Sequence, residues 1–82
     1  MGAVEIYNTE YNLVQFRTED QATADALVAW AKKADPDAKI TLLPMQDHVL
    51  GRAQTAIGAS GKHDFEERFA KALRAYIARE AP

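Results

Sequence analysis

Both histidines of this 82-residue chain sit beside an aspartate, in Asp47-His48 and His63-Asp64. A His–Asp pair is the usual equipment for moving a proton or for presenting an oriented ring to a metal. Either chemistry needs a third group, a nucleophile or further ligands, and here the supply is thin. Ser60 is the one serine, cysteine is absent, and Gly58-Ala59-Ser60-Gly61 lacks the G-x-S-x-G spacing of a hydrolase elbow. Neighbours along a chain seldom orient each other's side chains, and both aspartates stand where helix caps would stand. We therefore read His48 and His63 as structural or merely exposed, and expect no enzymatic activity, no metal and no cofactor.

The stretch Ile57-Gly-Ala-Ser-Gly61-Lys62 brings glycines to a short turn before a helix, where backbone amides can approach a phosphate. It is not the phosphate loop of nucleotide hydrolases, because Ala56 replaces the first glycine and His63 the final Ser or Thr. Gly58-Ala-Ser-Gly61 resembles the G-x-x-G loop of KH domains, which clamp a nucleic-acid backbone. That resemblance spans about six residues and implies a phosphate-contacting role for Gly58, Ser60, Gly61 and Lys62. Two features depart from it: the middle residues are neutral, and Asp64, Glu66 and Glu67 follow. An ordinary connection is the simpler reading.

Charge gives a second possible footprint. The chain carries ten basic and twelve acidic residues, a net −2, which offers no overall attraction to nucleic acid or an anionic membrane. The balance is uneven, however, at −4 over residues 1–50 and +2 over residues 51–82. Arg68, Lys71 and Arg79 line one flank of a C-terminal helix and form a candidate partner surface, although no aromatic residue interleaves them as a stacking platform for bases.

The elements that must position these residues read as follows. Residues 3–7 and 11–17 are rich in β-branched and aromatic types around Asn8-Thr9-Glu10, and form a hairpin. Thr18-Glu-Asp-Gln21 has the spacing of a capping box, so a helix is expected over 19–34, with Ala24, Leu27, Val28, Trp30, Ala31 and Ala34 on one arc. Asp35-Pro36 ends it, and residues 38–43 form a third strand. Residues 46–58 suit a helix capped by Asp47, with a fourth strand over 48–57 as the alternative; the strand would make the order ββα-ββα, a weak internal duplication. The last helix, over 64–80, carries Phe65, Phe69, Ala72, Leu73, Tyr76 and Ile77 on one face, with acids first and bases last, as the helix dipole favours. The fold class is α+β, one small domain with a hairpin and a third strand packed on two amphipathic helices.

If Val4, Ile6, Val14 and Phe16 face those helices, alternation sends Tyr7, Tyr11 and Leu13 to the outer side of the sheet. Tyrosine suits interfaces because it joins contact area to a hydroxyl. A chain this short with no disulfide gains from a second subunit or a partner. The expectation is a non-enzymatic protein-interaction module, a small regulator, adaptor or inhibitor of the general type carried by phages and mobile elements, with a homodimer through the hairpin as one form of it. A KH-like nucleic-acid binder is the alternative. Neither a membrane span nor the basic start of a signal peptide is legible, so the expected setting is the cytoplasm.

Overall fold

The computed structural model describes residues 2–10, 12–55 and 65–80. Strands β1 (Val4–Glu10) and β2 (Leu13–Thr18) form the first hairpin, helix α1 (Gln21–Ala34) follows, and β3 (Lys39–Pro44) and β4 (Val49–Gln54) form a second hairpin before helix α2 (Phe65–Glu80). The four strands make one antiparallel sheet in the order β1-β2-β4-β3. Each hairpin is followed by a helix, so the chain is ββα-ββα and α+β.

Of the stretch expected as a helix over 46–58, the described residues 46–54 are instead the turn and strand of the second hairpin, and 56–58 lie outside the described residues. The backbone N–H of Met45 donates to the carbonyl of His48 at 2.8 Å and closes a two-residue loop, Gln46-Asp47. Val49, Gly51, Ala53 and Thr55 then alternate into the interior. Gly51 decides the matter physically: it pairs with Phe16 across β2 and β4, and a β-carbon there would overlap the Phe16 ring. A glycine that weakens a helix here makes room for a neighbour's aromatic ring.

Helix α1 begins two residues later than the Thr18 box implied. Thr18 closes β2, is buried, and donates its hydroxyl to the carbonyl of Asp20 at 3.1 Å. Asp20 is the cap, accepting from the N–H of Thr23 at 2.7 Å. The Gln21 amide reaches forward to Asp25 instead of back. The far end matches expectation, with Asp35 extended before Pro36 and its N–H donating to Ala31.

Both helices lie on one face of the sheet, α1 over β3, β4 and β2, and α2 over β1 and β2. Val14, Phe16 and Ala53 rise from the strands into a core closed by Leu27 and Ala31 of α1 and by Phe65, Phe69, Leu73 and Tyr76 of α2. Val4 and Ile6 pack against it as alternation requires. Between the helices Trp30 stacks on Tyr76 at 4.8 Å and leans on Phe69 at 5.7 Å. Arg68 of α2 donates to the buried Asp35 at 3.1 Å and ties the end of α1 to the second helix. Ala34, placed on the apolar arc of α1, is exposed, whereas Thr23 is buried in that helix.

Candidate interaction surface

The opposite face of the sheet is not covered by either helix. Strand register lays it out in three rows across β1, β2, β4 and β3. The first is Glu5, Arg17, Leu50, Leu43; the second Asn8, Gln15, Arg52, Thr41; the third Glu10, Leu13, Gln54, Lys39. Tyr7 is the extra residue of a bulge between Ile6 and Asn8. The bulge restores Asn8 to the open face, where its amide donates to Gln15 at 2.8 Å. Tyr7 and Leu43 stay 46% and 58% exposed, and with Leu50, Gln15, Thr41 and Arg52 they line a hollow of about 380 Å³. Leu13 is half-buried in the third row. Tyr11 lies outside the described residues.

Edge pairing is blunted on both sides, by the bulge in β1 and by Lys39 and Pro44 at the ends of β3. Lys39 and Arg52 are the charged residues of β3 and β4, so that half of the face is basic. Glu5 and Glu10 put the acids on β1. Among the described residues no salt bridge engages Glu10, Lys39, Arg17 or Arg52.

The Asp47-His48 pair is better organised than adjacency suggested. In the tight turn His48 Nδ1 lies 2.6 Å from Asp47 Oδ1, with the imidazole largely covered and the carboxylate open. The hydrogen bond from His48, then its charge, holds the Asp47 carboxyl below its ordinary range. Asp47 therefore braces a hairpin turn and caps no helix. A hollow of about 220 Å³ beside it is lined by Glu5, Arg17, Thr18 and Glu19, which brings the His–Asp pair to mixed charges and to a threonine whose hydroxyl donates to the Asp20 carbonyl. No group of three His, Asp or Glu residues suited to a metal occurs among the described residues. Likewise, no helix among them is long and apolar enough to cross a membrane.

Neither protein-family models nor curated proteins nor solved structures match this chain. Its surfaces must be read on their own chemistry. The α2 flank is divided: Arg68 is engaged with Asp35, the guanidinium of Arg79 sits 5.9 Å over the Tyr76 ring, and Lys71 is exposed. Gly58, Ser60, Gly61, Lys62 and His63 lie outside the described residues, as does Asp64. Sequence reasoning missed Leu43, Leu50, Lys39 and Arg52. Alternation in Lys39-Ile-Thr-Leu-Leu43 already placed Lys39, Thr41 and Leu43 on one side, but Leu50 and Arg52 needed β4 to be a strand.

Proposed function

We propose that this chain is a non-enzymatic protein-interaction module whose contact surface is the open face of the sheet. The observation that carries this reading is the hollow bounded by Tyr7, Leu43 and Leu50, two of them among the most exposed large apolar residues of the described chain. A single antiparallel sheet with one solvated face is ordinary; the apolar side chains gathered on that face are what need a partner. A role as regulator, adaptor or inhibitor fits a domain that acts by contact, and a reducing, cytoplasmic setting fits a chain without cysteine.

A photo-activated cross-linking residue at Leu43, compared with one at the exposed Ala29 of α1, tests the reading in cells. The expected result is a single defined polypeptide, this chain or another, joined at Leu43 and absent at Ala29, with the adduct lost when Tyr7→Glu is added. Equal adduct patterns from the two positions would overturn it.

A further inference from the structure

We infer that the occupant of the open face is a second copy of this chain, stacked face to face about a two-fold axis parallel to the strands; this rests on the interaction-module reading above. The inference comes from how the rows are charged. Two copies of a sheet face can be related by a two-fold axis lying between them in two ways. With the axis along the strands, β1 of one copy lies over β3 of the other, β2 lies over β4, and each row covers itself. Glu10 then faces Lys39 twice, Arg52 meets Gln15, Glu5 and the Tyr7 bulge cover Leu43, and the Arg17 stem lies over Leu50. With the axis across the strands, the first row covers the third and the second covers itself. Glu5 then faces Glu10 twice, and Arg52 faces Arg52.

The first arrangement pairs opposite charges and the second opposes like ones, so the layout is self-complementary in one orientation only. The rotation of about 30° between aligned sheets moves the corner residues by a few ångströms, within reach of Lys39 and Glu10 side chains. Electrostatics also separates this occupant from nucleic acid: the face holds both signs, Glu5 and Glu10 beside Arg17, Lys39 and Arg52, and one described aromatic, Tyr7. Strand spacing of about 4.8 Å and a rise of about 3.3 Å per residue give the face roughly 400 Å² of projected area. Two such faces fall below the standard interface size, so the dimer is weak and forms with rising concentration.

Sedimentation equilibrium across a concentration series, with thermal melting as the check on folding, reads the association directly. The wild type is expected to shift from monomer toward dimer. Leu43→Asp, placed against Glu5 of the second copy, should abolish the shift while the fold is kept. Lys39→Glu and Glu10→Lys should each weaken association roughly tenfold, since two contacts change sign, and the double variant should recover most of the loss. Orientation is read with a short bis-maleimide on single-cysteine proteins, because the chain has no cysteine of its own. Glu5→Cys mixed with Leu43→Cys should cross-link, and neither should do so alone. A wild type that stays monomeric to its solubility limit overturns the inference, as does a charge swap that fails to recover, self-linking by either cysteine variant, or salt-sensitive binding of (dT)20 that Leu43→Asp abolishes. A monomer whose Leu43 cross-linker captures a different polypeptide would sink the second copy and leave the interaction module standing.

Discussion

The two faces of the one sheet are built from the same strands by the same alternation, yet they carry opposite kinds of side chain. Toward the helices stand Val14, Phe16, Ala53 and Val49, each with 4% of its surface exposed or less. Toward solvent, the central strands present Gln15, Arg17, Leu50, Arg52 and Gln54, with Tyr7 and Leu43 on the edge strands β1 and β3. The covered face is bound by size and shape: the Phe16 ring occupies the space above Gly51, and nothing larger fits. The open face is bound by charge and by a shallow hollow. One face should therefore be sensitive to volume and the other to polarity.

The largest expected effect breaks the covered face. Phe69 stacks on Phe65 at 5.0 Å, touches Trp30 and is 2% exposed, so Phe69→Ala should cost about 3 to 5 kcal/mol. For a domain of this size that is most of the net stability, and urea denaturation would measure it. Gly51→Ala makes the same point in reverse. One added methyl must displace the Phe16 ring, at a cost of about 1 to 3 kcal/mol. A Gly51→Ala protein as stable as the parent would show that the Phe16 ring does not lie over Gly51 and that β2 and β4 pair in another register.

The open face should behave otherwise. Tyr7→Glu and Leu43→Asp each place a carboxylate where solvent already reaches, so folding stability should move by no more than about 0.5 kcal/mol. Chemical denaturation at low protein concentration isolates this value from any association. If either variant loses stability on the scale of Phe69→Ala, the face is core and the contrast between the two sides collapses.

How much of this was legible beforehand follows the same division. The interior of the first hairpin and of both helices could be read, because Val4, Ile6, Val14 and Phe16 alternate and Phe65, Phe69, Leu73 and Tyr76 recur at helical spacing. Residues 46–58 could not. Their apolar positions 49, 53 and 57 satisfy both periods, and only the fit of Gly51 against Phe16, a contact between segments 35 positions apart, separates them. Misreading that strand concealed half of the candidate surface, since Leu50 and Arg52 join the open face only when β4 is paired. The Thr18 box misled for a local reason. Thr18, Glu19 and Asp20 offer competing acceptors, and the ladder of β2 claims Thr18 first.

An intermediate effect is expected where the helices are tied together. Asp35 is buried, and Arg68 reaches it from α2 at 3.1 Å while remaining 45% exposed. Arg68→Ala removes the partner of Asp35 Oδ2 and leaves the covered carboxylate with the Asp37 N–H on Oδ1 at 3.2 Å, and a loss of about 1 to 2 kcal/mol is expected after allowing for the exposure of the arginine. Arg68→Lys should recover part of it, because the charge returns without the planar fork. Equal loss in both variants would point to the guanidinium geometry, and no loss in either would show that water serves Asp35 well enough.

The smallest effect is one of pH, and it compares an exposed carboxylate at the start of α1 with one at the hairpin turn. Hydrogen bonds from the backbone and side chain of Thr23 hold the Asp20 carboxyl below its ordinary value of 3.8, and His48 does the same for Asp47. A carboxyl whose pKa is lower in the folded state binds protons more readily when unfolded. Its contribution to stability is therefore complete above the unfolded value and is lost as pH falls through the folded one. Melting temperature should thus decline in acid below about pH 4, and Asp20→Asn should flatten part of that decline while keeping the acceptor that caps α1. Asp20→Ala should flatten it equally but start from a lower melting temperature at neutral pH, because the first-turn amide of Thr23 loses its partner. Asp47→Asn should also flatten the acid slope, yet leave α1 untouched, so helical circular dichroism at neutral pH separates the two sites. An acid slope unaltered by Asp20→Asn and Asp47→Asn together would mean that neither hydrogen bond persists in solution.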